Sequence, residues 1–264
     1  MRLALVITTY ERPDALGAVL ASTGRQRVAP AEIIVADDGS GAATRAVFDQ
    51  HAAQARTPLR WVTQSHAGFR VARLRNLALA STQADYVVFI DGDMLLHPEF
   101  VADHARIARR GFFTQGVRVL ADEILTSELI SNPAMALTAG SPGLGWLRRA
   151  YLLRAPALAV AMRGVANHVI SIKACNQGYW RDDLERVNGF NEDFIGWGPE
   201  DKELCIRLEN AGVRRQSLLF GGIAIHLRHA PASRAALPAN LLLLEAARRE
   251  RKVRCERGLA DHSR

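Results

Sequence analysis

The stretch Tyr86-Val87-Val88-Phe89-Ile90-Asp91-Gly92-Asp93 constrains the fold more than any other in the chain. Its apolar run is too short for a helix and rich in β-branched and aromatic residues, so it reads as a strand buried on both faces. It ends in two carboxylates one glycine apart, at the carboxyl edge of the strand, where open α/β sheets bind ligands. Close carboxylates repel unless a cation sits between them, and hard divalent ions take oxygen ligands shared with phosphates. The pair therefore reads either as a metal–diphosphate site or as a polar turn, since Asp-Gly is also a turn signal.

The surrounding pattern alternates strand and helix. Short apolar runs at Leu3–Ile7, Glu32–Ala36 and Leu59–Val62 alternate with helical patterns over Pro13–Ala21, Ala42–Gln54 and Arg70–Ala80. Such alternation predicts an α/β fold with a mostly parallel, twisted sheet flanked by helices. Thr8, Thr9, Tyr10 and Arg12 follow the first strand, and Asp37 and Asp38 follow the second. With Asp91 and Asp93, three strand ends converge on one edge, and this favours the metal reading over the turn. No Gly-x-Gly-x-x-Gly or Gly-Lys-Ser/Thr loop is present, which disfavours a dinucleotide oxidoreductase or P-loop enzyme. Arg70 and Arg73 share one helical face while Arg75 points elsewhere; they suit phosphate contact or a solvated basic face.

Beyond residue 111 the pattern loosens. A strand is expected over Phe113–Val119, a loop over Asn132–Gly145, and a core-packed helix with a basic face over Trp146–Met162. An ordered run resumes at 168–172. In Gly196-Trp197-Gly198-Pro199-Glu200-Asp201 two glycines and a proline fix a turn, Trp197 offers a flat face for a sugar, and Glu200 and Asp201 open a helix to Gly212. There the macrodipole favours ionised carboxylates. His226 and His229, three apart, offer further metal ligands.

Arginine dominates the basic residues: of 34 Lys and Arg, only positions 173, 202 and 252 are lysine, within a net charge of +7. Arginine suits bidentate contact with phosphate, but no aromatic-interleaved basic motif favours nucleic acid. Cys175, Cys205 and Cys255 form no metal-type pair or disulfide framework, and no secretory signal or apolar stretch of the ~20 residues that span a bilayer is seen. A cytoplasmic protein is expected. A basic amphipathic helix from about residue 235 offers contact with the inner face of a membrane or packs on the domain.

These motifs together resemble the inverting family 2 glycosyltransferases of the GT-A fold. The N-terminal part of the resemblance is Thr8-Thr9-Tyr10-x-Arg12-Pro13, Asp37-Asp38-Gly39-Ser40, Arg75-Asn76 and Asp91-Gly92-Asp93. The C-terminal part is Asn188-Gly189-Phe190-Asn191-Glu192, Gly196-Trp197-Gly198-x-Glu200-Asp201 and His226, similar to the galactosyltransferase-like segment of chondroitin-type polymerases. The resemblance implies a nucleotide-sugar-binding half over 1–110, an acceptor-binding and catalytic half over 111–233, and a basic C-terminal helix over 234–264. It implies that Thr8, Thr9, Tyr10, Arg12, Asp37, Asp38, Arg70, Arg75, Asp91 and Gly92 bind a UDP-sugar. Asp93 and His226, with His229 as the fallback, hold Mn²⁺ or Mg²⁺. Asp201 is the general base, and Glu200, Trp197 and Asn176 bind the acceptor. The implied activity is transfer of a hexosyl or N-acetylhexosaminyl group to a glycan or glycolipid hydroxyl in bacterial surface polysaccharide or lipopolysaccharide synthesis. Two other classes share these residue types: a non-catalytic nucleotide-sugar- or glycan-binding subunit, and a sugar nucleotidyltransferase.

Overall fold

The structure is a computed structural model that describes residues 1–164 and 171–262, the side chain of residue 147 aside. A seven-stranded sheet forms its centre. In chain order its strands are β1 (Leu3–Thr9), β2 (Glu32–Asp37), β3 (Leu59–Thr63), β4 (Tyr86–Asp91), β6 (Phe112–Gly116), β8 (Asn176–Trp180) and β9 (Arg214–Leu218). Their spatial order is β3-β2-β1-β4-β8-β6-β9. The β3-β2-β1-β4 block and the β6–β9 pair are parallel, and β8 runs antiparallel to both β4 and β6. The sheet is thus mostly parallel, as expected, with one reversed strand in its middle.

Side-chain alternation explains why β1 and β4 read as continuous apolar runs. Leu5, Ile7, Val88 and Ile90 face one core with helices α1 (Pro13–Thr23), α2 (Ala42–Ala52) and α4 (Phe100–Ile107). Val6, Val87 and Phe89 face the other core, against α3 (Val71–Ala80), α7 (Arg181–Arg186) and α8 (Glu200–Asn210). Both faces are covered, so no polar face is needed and the period of two is hidden.

A second, three-stranded sheet sets up the site. It comprises β5 (Met94–Leu96), β7 (Val119–Leu120) and β10 (Ala224–His226), in the order β5-β10-β7. The register aligns His226 with Met94, and the Leu227 amide donates to the Asp93 carbonyl at 2.9 Å. The chain turns from β4 into β5 through Gly92, where an added Cβ would stand 2.9 Å from the Thr8 carbonyl oxygen. Only glycine lets β1 and the acidic turn approach this closely.

Three expected elements differ. The strand over Phe113–Val119 is broken at residues 117–118 into β6 and β7, which belong to different sheets. The single helix over Trp146–Met162 is a 3₁₀ turn (Trp146–Leu152) and a short helix α6 (Pro156–Met162), separated before Pro156; proline removes an amide donor and confines the preceding residue. The C-terminal helix α9 (Leu237–Arg249) stops well short of the chain end. It lies against α8, with Asn240, Leu244 and Ala247 buried, so packing on the domain is its observed role. Of the run 168–172, residues 168–170 lie outside the described residues. Helix α5 (Glu123–Ser131), capped by the Asp122 side chain on the Leu125 amide, completes the elements that flank the small sheet. Among the described residues no helix is long and apolar enough to cross a membrane.

Candidate active site

Asp93 leaves β4 and meets β10 side on. Its Oδ1 lies 3.7 Å from His226 Nε2 and its Oδ2 lies 3.3 Å from His229 Nε2. One ligand atom from each of Asp93, His226 and His229 falls within 4.8 Å of the others. The strand register brings Asp93 and His226 together, and His229, three residues beyond His226, lies beside them, so the three side chains meet at one point. Burial and the neighbouring Asp91 push the Asp93 carboxyl up to about 7. Burial holds His226 down at about 4, so it is a neutral imidazole with a free lone pair. Asp93 Oδ1 is buried with no hydrogen-bond partner among the described residues. An orphaned carboxylate oxygen beside neutral imidazole nitrogen is a donor set that suits a divalent cation.

Arg75 connects this site to α8. Its Nη1 donates to Glu200 Oε1 at 2.8 Å and its Nη2 to Asp91 Oδ1 at 3.3 Å. Its guanidinium also lies over the Phe190 ring. The whole side chain is buried, so the expectation that Arg75 contacts nucleotide is corrected: its head group is engaged by protein carboxylates. Glu200 is likewise committed to Arg75. Burial and Asp201 nevertheless push Glu200 up to about 7.

Asp201 opens α8. Its Oδ2 accepts from the Ala174 amide at 2.8 Å and its Oδ1 from the Lys202 amide at 2.8 Å. Burial raises its pKa despite Arg75 and these two amides. Burial thus raises both carboxyls above their ordinary range, acting against the preference for the charged form expected at a helix N-terminus. The turn before α8 needs Gly196, whose φ is +77°. Asn240 of α9 pins it by donating to the carbonyls of Ile195 (3.1 Å) and Trp197 (3.2 Å). Trp197 is 37% exposed, and Arg234 stands 5.0 Å from its ring centroid.

At the other end of the cleft, Thr8 Oγ1 donates to Asp91 Oδ1 at 3.2 Å. Thr9 Oγ1 is buried without a partner among the described residues. Asp37 Oδ2 accepts from the Gly39 and Ser40 amides and the Thr63 hydroxyl, which is the backbone-bonding role of a loop aspartate. Asp38 is held by Gln64 Nε2 and lies 3.1 Å from His66 Nδ1, and His66 stacks on exposed Tyr10 with 4.2 Å between centroids. Gln64 and His66 were not singled out from the sequence; they follow β3 at the same sheet edge, which is the signal that could have found them. Arg12 pairs with Asp14 at 3.1 Å, and Arg70 Nη2 donates to the Ser65 carbonyl.

Asn176 does not reach the cleft. It is fully buried, its Nδ2 donates to the Val117 and Gly222 carbonyls, and its Oδ1 pairs with His104 Nε2 at 2.8 Å. Every polar atom of the amide is used, so its expected part in acceptor binding is corrected to a structural one. The three cysteines are free and buried.

Comparison with known proteins agrees with this architecture. The profile of "Glycosyl transferase family 2" matches residues 4–138, and that of "N-terminal domain of galactosyltransferase" matches residues 155–230. The chain is 30% identical over 224 residues to a validoxylamine A glucosyltransferase of Streptomyces hygroscopicus subsp. limoneus, covering 80% of this chain and 48% of the relative. It is 24% identical over 247 residues to a chondroitin synthase of Pasteurella multocida (strain Pm70), covering 85% of this chain and 24% of that protein. The chain thus spans about half the length, or less, of these relatives. Among solved structures, S. aureus TarS 1-349 in complex with UDP-GlcNAc superposes with a TM-score of 0.63 at 15% identity, covering 99% of this chain and 69% of that one. Glucosyl-3-phosphoglycerate synthase from Mycobacterium tuberculosis, bound to Mn²⁺, UDP-glucose and phosphoglyceric acid, gives 0.59 at 20% identity, covering 93% and 79%. The fold is of the GT-A type, and with the profile matched across half of its length, the chain belongs to glycosyl transferase family 2.

Proposed function

We propose that this protein is a metal-dependent inverting glycosyltransferase that moves a sugar from a UDP-sugar to a hydroxyl of a glycan or glycolipid. The observation that carries this reading is the buried, unpartnered Asp93 Oδ1 beside His226 and His229 at the end of β4. Asp93, His226 and His229 would hold Mn²⁺ or Mg²⁺. When bound, such a cation neutralises negative charge on a departing diphosphate.

The rest follows from the chain's own groups. Thr8, Asp38 and His66 line the edge where β1, β2 and β3 end, suited to holding the nucleoside by hydrogen bonds. Asp201 accepts a proton from the acceptor hydroxyl as that oxygen attacks the anomeric carbon from the face opposite the diphosphate. The amides of Ala174 and Lys202 aim the carboxylate. Burial raises its pKa toward the working pH, which makes it a stronger base than a solvated aspartate. Arg75 fixes Glu200 against Asp91, so the base and the diphosphate site keep one spacing, and holding the reactants in line supplies much of the rate. An α-linked donor then gives a β-linked product. Surface polysaccharide synthesis is the setting that the polymer-forming relative suggests.

The test is to incubate the protein with a panel of UDP-sugars and Mn²⁺ and to measure UDP release. Slow, metal-dependent hydrolysis of at least one UDP-sugar is expected. Nucleotide binding with no release on any acceptor would instead support a binding subunit, and pyrophosphate exchange would support a nucleotidyltransferase.

A further inference from the structure

Beside the site lies a pocket lined by Arg118, Arg148, Lys173, Tyr151 and Cys175. Three of these side chains are cations. Among the described residues none of the three forms an ion pair with a carboxylate. The described contact of the Arg118 head group is a donation to Cys175 Sγ at 3.4 Å. Burial pushes that thiol up to about 12, so it is neutral and offers the guanidinium no counter-charge of its own; the charge of Arg118 is felt at Asp93, with which it forms no direct ion pair. Arg118 Nε is buried with no hydrogen-bond partner among the described residues. Lys173 feels both arginines and Asp201: burial first, then the arginine charges, lower its pKa, and Asp201 opposes them. Like charges gathered in a partly desolvated pocket repel one another, and an anion that joins them relieves that cost.

Hydrogen bonds anchor the backbone at two of the lining cations. Gln115 grips the Lys173 backbone on both sides, accepting from its amide at 2.9 Å and donating to its carbonyl at 3.1 Å. The Arg148 amide donates to the Gly145 carbonyl at 3.0 Å at the start of the 3₁₀ turn. The pocket's position is informative. Arg118 immediately precedes β7, which pairs with His226 through Leu120. Lys173 immediately precedes Ala174, whose amide holds Asp201. Two of the three cations, Arg118 and Lys173, therefore border the segments that carry the metal-type triad and Asp201.

We propose that this pocket binds a carboxylate or phosphate carried by the acceptor, so that the enzyme's acceptor class is an anionic sugar. This rests on the reading of Asp201 as the base, and it names the acceptor class which that reading leaves open.

The test uses the full chain saturated with UDP and titrated by NMR with glucuronate, glucose 6-phosphate or glucose. The two anionic sugars should bind at least about tenfold more tightly than glucose, and the ratio between them separates carboxylate from phosphate. In Arg148→Gln/Lys173→Met the preference should fall below about twofold while UDP affinity stays within about twofold. Arg148→Glu, which keeps the pocket filled, should disfavour both anions relative to the parent. Equal affinity for all three sugars, or a preference that survives in the double variant, would overturn the proposal. So would a parallel loss of UDP affinity, because the cations would then serve the donor diphosphate. If UDP itself does not bind, the glycosyltransferase reading fails, and the same titrations without nucleotide still read the anion preference.

Discussion

Arg75 donates to Glu200 at 2.8 Å from the same guanidinium that reaches Asp91 at 3.3 Å. One buried cation thus ties the end of β4 to the start of α8, two points 109 residues apart in sequence (200 − 91).

Removing that tie should be costly. Arg75→Met leaves buried Glu200 and half-buried Asp91 without their counter-charge, and losing one partner of a buried ion pair costs about 3–5 kcal/mol. Urea denaturation should show that loss. Arg75→Met/Glu200→Gln should recover part of it, because the uncompensated charge is then gone. A double-variant loss equal to the sum of the Arg75→Met and Glu200→Gln losses measured singly would show that the pair is not coupled.

Asp201→Asn keeps the shape but removes the base; its one carbonyl oxygen can accept from only one of the Ala174 and Lys202 amides. Transfer should fall by about 10²–10⁴-fold, with UDP affinity little changed. In the parent the acidic limb of kcat/KM should lie above 3.8, because burial raises the Asp201 pKa. Activity should therefore fall as pH is lowered, at a higher pH than a solvated aspartate would set. Steady-state kinetics across pH reads both outcomes.

His104 supplies a stability prediction away from the site. Burial holds it down to about 4 from 6.5, and it spends Nε2 on Asn176. Asp103 is its charged neighbour. The unfolded chain takes up a proton below pH 6.5 that the folded chain refuses until about pH 4. Stability is therefore complete above 6.5 and is lost as pH falls through that window, by about 3 kcal/mol in all. His104→Gln should be less stable at neutral pH but lose this part of the pH dependence, as measured by denaturant midpoints at each pH.

Asn240 holds the turn that carries Trp197. Asn240→Ala leaves the Ile195 and Trp197 carbonyls without their donor at a cost of about 1–3 kcal/mol. The turn should loosen, raising KM for the acceptor while leaving UDP affinity unchanged. An unaltered acceptor KM would separate this turn from acceptor binding.

The β1–β4 half of the fold was legible because each strand is a short apolar run with a chemically distinct end, and helices with local signals separate them. The small sheet was not. β5, β7 and β10 are only two or three residues each, too short to show a period, and their pairing is set by contacts more than 100 residues apart. Asp93 and His226 are readable as ligand types, but the closeness of His229 to both depends on the turn after β10. Arg75 and Asn176 were misread for one reason. A polar residue in a motif looks the same whether its head group faces a cleft or a buried partner, and only the packed core distinguishes them. The cationic pocket had the same problem, because Arg118, Arg148 and Lys173 come from three separate segments with no common pattern.

The central claim is that Asp93, His226 and His229 hold a divalent cation beside a nucleotide diphosphate. The most direct measurement is Mn²⁺ binding with UDP present, followed by electron paramagnetic resonance in the parent and in Asp93→Asn. The account predicts UDP-dependent Mn²⁺ uptake by the parent that weakens by at least about tenfold in the variant, as loss of a charged ligand should cause. No uptake by the parent, or equal uptake by both proteins, would contradict it.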